Sequence, residues 1–299
     1  MELMFAIATY ESCLASNVAG WRELFALADR EAGPLGVPTR AREVPVERAA
    51  LILVPASFGF DVSAVHEPLL AAVSQGSARG AVIAAACAGV EAVLATGVDR
   101  GRVVTTHWNL ASRFSATYPQ AKIDASDLVV DHGDLVTAGG ILSWIDLGLH
   151  LVGRFWSPSV AVRCARVLVW DPGRRSQNPY AEPGLAWQPL VADPALAPAE
   201  AWIASNYRSA VGLEAWASAG SLGPRTLERR WKAAYGKGPR AWLRSVRVGE
   251  ARQLLTASPR SWEEITVSVG YEDPGSFRRV FENETGWTPR RYRLAFAGS

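Results

Sequence analysis

Two apolar stripes, fifty residues apart and set in the same frame, constrain this chain more than any other feature. Leu227, Trp231 and Tyr235 recur every four residues and mark one side of a helix, with Arg225, Glu228, Arg229 and Lys232 on the other. Pro224 stands near the first helical position, where its missing N–H costs nothing, and Gly236 supplies the stop. The preceding Leu213–Ala219 reads as a compact helix ending at Gly220, so the segment is a helix, a tight turn and a polar-faced helix. The same grammar returns at residues 262–286. There Phe277 and Phe281 form the buried pair, Ser276, Arg278 and Arg279 face outward, and a short helix follows after Trp287.

Between the two units, residues 239–256 read as one long helix. Eighteen residues at ~1.5 Å each span roughly 27 Å. That length can hold the two second helices about one DNA turn apart, in successive major grooves. Charge is divided accordingly. Residues 196–299 hold 16 Lys/Arg against 10 Asp/Glu, a formal +6, whereas residues 1–195 carry −4. A basic module joined to an acidic one suits a polyanion-binding domain attached to something else.

The six prolines at 172, 179, 183, 189, 194 and 198 exclude a long regular element and place a boundary near residue 195. The expected division is therefore a first domain over 1–170, a proline-rich linker over 171–196 and a helical domain over 197–299. Before the linker, short apolar runs alternate with amphipathic segments, the pattern of an α/β flavodoxin-like sandwich with a mostly parallel sheet. Strands are predicted at 3–9, 50–54, 81–86 and 103–106, with a hairpin-like pair at 128–130 and 135–138. Helices are predicted at 17–30, 88–96, 110–117, 141–155 and 158–168. With the C-terminal part, the fold class is this sandwich plus an all-α tandem helix-turn-helix domain.

Cys13, Cys87 and Cys164 are few and widely spaced, which suggests neither a disulfide framework nor a metal site and fits a reducing cytoplasm. No cofactor is implied. No export signal is read at Met1-Glu2, and the apolar run 80–98 carries Glu91 and Gly89, as a buried strand and helix would rather than a membrane span. In that run an apolar strand leads straight into Cys87, followed by Ala88-Gly89 and a helix. The small residues permit a sharp turn like a nucleophile elbow, where a helix N-terminus would favour thiolate. Read from spacing alone, an ordinary buried cysteine is the favoured alternative.

The C-terminal segment resembles the AraC/XylS-family DNA-binding domain. The match is carried by Glu264-Ile265, Val269-Gly270-Tyr271, Phe277, Arg279, Phe281, Gly286, Thr288-Pro289 and Tyr292-Arg293. Arg225, Trp231, Gly236, Pro239, Leu243, Arg247 and Ala251 carry it in the first unit. The resemblance implies base contacts from Arg225, Glu228 and Arg229, and from Pro274, Gly275, Ser276 and Arg279. Arginine can pair with guanine and glutamate can accept from cytosine, whereas Pro274 and Gly275 offer no side-chain donor, so the second helix is expected mainly to fit the backbone.

Residues 83–89, the run Val103-Val-Thr-Thr-His107-Trp108, residues 135–140 and Asp146 to His150 resemble the ThiJ/PfpI superfamily. Together the two halves resemble regulators of the GlxA type. That resemblance implies a ligand pocket around Cys87 and His107. Ala15 aligns where family enzymes carry a glutamate, with Glu11 close by, and a pocket that lacks its acid suits ligand binding better than turnover. The short stretch between Arg30 and Leu51 implies a reduced or absent edge hairpin. The implied partners are double-stranded DNA, an unidentified small-molecule effector, a second copy of the chain and RNA polymerase, with no membrane. The implied role is a regulator, by family habit an activator. The alternative is a working cysteine-dependent amidase or isonitrile-hydratase-like hydrolase joined to a DNA-binding module.

Overall fold

The computed structural model describes residues 2–58, 67–181, 189, 192–209 and 211–297. The chain divides into two compact units, residues 1–177 and 178–299. The division falls inside the proline-rich stretch, of which residues 182–188 and 190–191 lie outside the described residues.

The first unit is a doubly covered, mostly parallel sheet. In chain order it contains β1 (Glu2–Ile7), α1 (Ala15–Ala32), β2 (Arg40–Glu43), β3 (Leu51–Val54), α2 (Glu67–Ala78), β4 (Val82–Ala86) and α3 (Val90–Thr96). Then come β5 (Val103–Val104), α4 (Ala111–Thr117), β6 (Lys122–Ile123), β7 (Val129–Asp131), β8 (Leu135–Ala138), α5 (Ser143–Phe155) and α6 (Pro158–Val167). The six-stranded order is β2-β1-β3-β4-β8-β7, parallel throughout except for the last pair. Helices α1, α5 and α6 pack together, as do α2 and α3, and the sheet lies beneath them.

The position of each strand explains its composition. Every residue of β3 and β8 is buried, and these central strands are near-continuous apolar runs without alternation, interrupted in β8 by the buried Thr137. Full burial of such side chains stabilises by about 1.5–3 kcal/mol each. By contrast β2, Arg-Ala-Arg-Glu, is an edge strand with three exposed charged residues, a pattern that resists edge-to-edge pairing. The edge hairpin expected to be reduced or absent is thus a single short strand, parallel to β1. Two further expectations need correction. Residues 103–106 do not join the main sheet; only Val103–Val104 is extended, in a separate pairing with β6. The helix α2 was not anticipated, because its Glu-Pro start and internal Gly76 obscure its period.

The second unit is helical: α7 (Ala197–Asn206), α8 (Leu213–Ala219), α9 (Pro224–Tyr235), α10 (Pro239–Ala257), α11 (Trp262–Ser268), α12 (Pro274–Thr285) and α13 (Pro289–Phe296). Among the described residues no helix is long and apolar enough to cross a membrane. Its two cores are separate: Trp216, Trp231, Tyr235 and Trp242 centre one, and Ile265, Phe277, Phe281 and Tyr292 the other.

Candidate nucleic-acid interface and cysteine elbow

Helices α8 and α9 are wedged together by aromatic rings. Trp231 meets Trp216 edge-on at 4.5 Å, meets Trp242 of α10 at 5.0 Å, and stacks on Tyr235 at 4.7 Å. Pro224 occupies the first turn of α9, and Gly236 ends it in the left-handed region at φ 72°. With Leu227 and Trp231 buried, the opposite side presents Arg225, Glu228 and Arg229 to solvent. None of the three makes a hydrogen bond or ion pair among the described residues. Their neighbour Arg230 is engaged, and its guanidinium grips both oxygens of Asp193. That hydrogen-bonded grip, seconded by the amide of Ala195 and the charge of Arg229, holds the Asp193 carboxyl below its usual range.

Fifty residues on, each landmark has a counterpart. Helix α12 has the same length as α9, twelve residues, begins with Pro274 and ends at Gly286, φ 75°. Phe277 and Phe281 replace Leu227 and Trp231, Pro289 replaces Pro239, and the buried Tyr292 replaces Trp242. Trp262 of α11 lies flat on Phe277 at 5.0 Å and donates its indole N–H to the carbonyl of Pro274. The Asp273 side chain caps α12 by accepting from the amide of Ser276. Gly275 is exposed, and a Cβ there would stand 3.1 Å from the Asp273 carboxylate. The outward cations differ from those of α9. Arg278 pairs with Glu282 at 2.8 Å, and Arg279 donates to the hydroxyl of Ser276 at 3.1 Å. Pro274 and Ser276 are half-buried.

Two buried arginines fix α10 between these motifs. Arg247 donates to the carbonyls of Tyr207 (2.7 Å) and Ser209 (2.6 Å) and lies over the Tyr271 ring. Gly270, at φ 87°, lets the turn before α12 approach the same connection, since a Cβ there would meet the Arg208 carbonyl oxygen at 2.3 Å. Arg252 donates to the Tyr292 hydroxyl and to the carbonyls of Pro179 and Ala181.

In the first unit β4 runs into Cys87, which takes φ 54°, a left-handed conformation unusual for a side-chain-bearing residue. A 3-10 turn over residues 87–89 then leads into α3. Gly89 permits the turn, because a Cβ would lie 2.4 Å from the carbonyl oxygen of Pro55. Of the two readings offered by spacing, burial favours the ordinary thiol over the thiolate. The thiol is only 2% exposed, and burial pushes it up to about 11, with the Ala88 amide a weaker opposing pull. Desolvation outweighs the partial charge of a short helix end.

Thr106 donates its hydroxyl to the Cys87 carbonyl at 2.8 Å, which sets the loop after β5 against the elbow. His107 in that loop is half-buried, burial lowers its pKa, and Nδ1 accepts from the Asn109 amide at 3.1 Å. Glu11 is exposed in the turn after β1 and hydrogen-bonds to neither Cys87 nor His107. Ala15 begins α1, also exposed.

Three groups at the elbow were not anticipated. Tyr10 donates to the Pro55 carbonyl at 2.7 Å, and its phenol is raised by burial and, more weakly, by Cys13, Cys87 and Glu91. Glu91, buried four residues after Cys87, is paired with Arg113 at 3.0 Å; the i, i+4 spacing was the available signal. Gln177 is buried at 2% exposure, accepts from the Trp108 amide at 2.9 Å and donates to the Thr106 carbonyl at 2.7 Å. Among the described residues no three His, Cys, Asp or Glu side chains could hold a metal.

Comparison with known proteins follows the same division. Residues 36–154 match the DJ-1/PfpI family and residues 216–295 match a helix-turn-helix domain family. The chain is 24% identical over 249 residues to the HTH-type transcriptional regulator CdhR of Pseudomonas aeruginosa, covering 83% of this chain and 73% of that protein. It is 26% identical over 231 residues to the regulator ArgR of the same organism, covering 77% of this chain and 70% of ArgR. To the transcriptional activator RhaS of Escherichia fergusonii it is 38% identical over 93 residues, 31% of this chain and only 34% of that relative.

Proposed function

This chain joins a DJ-1/PfpI domain to an AraC-type helix-turn-helix domain and is a DNA-binding transcriptional regulator; from that premise we propose that α9 reads bases while α12 seats the backbone of double-stranded DNA. The observation that carries this reading is the contrast between the two outward faces. Among the described residues, Arg225, Glu228 and Arg229 stand exposed and unbonded on α9, whereas Arg278 and Arg279 of α12 are engaged within their own helix. An unpaired guanidinium is ready for a bidentate bond to guanine, and Glu228 can accept from cytosine N4. Pro274, Gly275 and Ser276 then bring the start of α12 close to a phosphate, where Arg279 adds charge.

The first unit, in this reading, senses a small molecule in the neighbourhood of Cys87 and His107 and pairs two copies of the chain in the cytoplasm, and the outcome is activation with RNA polymerase as the final partner. A buried, protonated thiol, with Glu11 exposed and not bonded to it, favours recognition over turnover. The strained backbone of Cys87 is the observation on the side of a hydrolase. The test is binding-site selection from random duplexes with the purified full chain, at two salt concentrations, beside Arg225→Ala/Arg229→Ala. A defined motif lost in the double variant supports the reading. Only weak, motif-free and steeply salt-dependent binding would reduce α9 to a general polyanion contact.

A further inference from the structure

The last residue of the first unit is Gln177, and its carboxamide bridges the loop that touches the elbow. It donates to the Thr106 carbonyl and accepts from the Trp108 amide, so it spans His107 from one side to the other. Thr106 in turn donates to the Cys87 carbonyl. Space for the bridge is kept by Gly139, where a Cβ would come within 2.1 Å of the Gln177 side-chain nitrogen. Only Asn178 separates Gln177 from Pro179, whose carbonyl is held at 2.9 Å by the buried Arg252 of α10. The Ala181 carbonyl and the Tyr292 hydroxyl complete the grip on that guanidinium.

We infer that Gln177 is the positioning residue through which the state of the elbow loop and the state of the DNA-binding unit are coupled. The inference rests on the sensing role proposed above for that loop. A fixed point in each unit is separated by two chain steps, which reach at most about 7 Å when fully extended. So short a tether has little slack, and displacement of residues 106–108 acts through the carboxamide on Gln177, whose own amide is held to the Ser126 carbonyl at 3.0 Å, before it reaches Pro179. Gln177 suits this task because it satisfies a donor and an acceptor in a buried place without bringing a charge there. Arg252 suits the other end because its carbonyl partners belong to the tether and its hydroxyl partner to α13, so one side chain registers both.

Coupling between two sites is reciprocal, so bound DNA must alter the elbow loop as much as a ligand there alters DNA binding. This allows a test that needs no identified effector. The probe is a duplex selected by the full chain, and the readout is hydrogen exchange of the Trp108 amide, which is bonded to Gln177. In the wild type the bound duplex is expected to change that exchange rate by about tenfold. Gln177→Glu keeps the acceptor for Trp108 and loses the donor to Thr106. Insertion of four glycines between Gln177 and Asn178 adds slack and spares the Asn178–Tyr180 turn that presents Pro179 and Ala181 to Arg252. Both variants are expected to bind the duplex within about twofold of wild type and to lose most of the exchange response. A residue with a merely structural part would not separate those readouts.

Wild-type exchange at Trp108 that is indifferent to the duplex, or an insertion variant that responds like wild type, overturns the inference. Failure to select any duplex overturns it together with the DNA-reading role. An intact exchange response with no metabolite able to shift duplex affinity removes the sensing role alone and leaves the coupling standing.

Discussion

Asp193 and Arg230 are joined at two points, with Nε and Nη2 of the guanidinium 2.9 and 2.8 Å from the two carboxylate oxygens. The pair fastens the chain before α7 to the flank of α9 and sets a negative charge beside Arg229. Asp193→Asn removes that charge next to a proposed base reader. It is expected to tighten binding to non-operator DNA and steepen the salt dependence by about one counterion. Fluorescence anisotropy on a scrambled duplex across a salt series measures this, and an unchanged slope would show that Arg230 stays off the phosphates. The pair is present above the ordinary carboxylate range. It is lost as pH falls through the depressed pKa of Asp193, so the variant and wild type converge in acid.

Arg229→Ala is expected to cost ~1–3 kcal/mol of operator binding and to relax the preference at one base. Arg279→Ala, by contrast, is expected to weaken all duplexes alike. Selection on both variants decides between these outcomes, and an equal loss on every sequence for Arg229→Ala assigns that arginine to phosphate.

Gly270 combines a left-handed backbone with no room for a Cβ against Arg208. Gly270→Ala is therefore expected to destabilise the second unit by about 1–3 kcal/mol, seen as a lower urea midpoint. Gly286, also left-handed but with open space around it, separates the two causes. Gly286→Ala carries the backbone strain alone and is expected to cost less. Equal losses would mean that the contact with Arg208 contributes nothing.

Iodoacetamide at neutral pH is expected to leave Cys87 unmodified in the native protein and to label it once urea unfolds the chain. In alkali the sign of its contribution is fixed. The unfolded thiol ionises near pH 9 and the folded one at about 11, so stability is intact below the first value and declines as pH rises through the second. Cys164, likewise pushed up to about 11 by burial, adds to the same decline. Urea midpoints at pH 8 and pH 10.5 should differ by less in Cys87→Ser than in wild type. Rapid native labelling of Cys87 would instead restore the hydrolase reading.

The helical unit was legible because its signals are local. Prolines at first turns, glycines at stops and aromatic residues four apart specify α9 and α12 within a dozen residues each. The central strands were legible as near-continuous apolar runs. Strand β2 was not, since an edge strand needs charge and displays no apolar period. Glu11 stands next in sequence to a pocket-facing position yet faces solvent, while Tyr10 beside it turns inward. Gln177 was invisible for a different reason, because its partners Thr106 and Trp108 are some seventy positions away.

The fifty-residue offset between α9 and α12 has a bearing on how such a molecule can change. First-turn prolines, stops and aromatic wedges recur at matching places, so both helices draw their shape chiefly from residues that do not face outward. Those outward residues are thus free to drift like letters in a fixed grid. One half can acquire a new word while the other preserves the old address, and a lineage can move between promoters without passing through an unfolded ancestor.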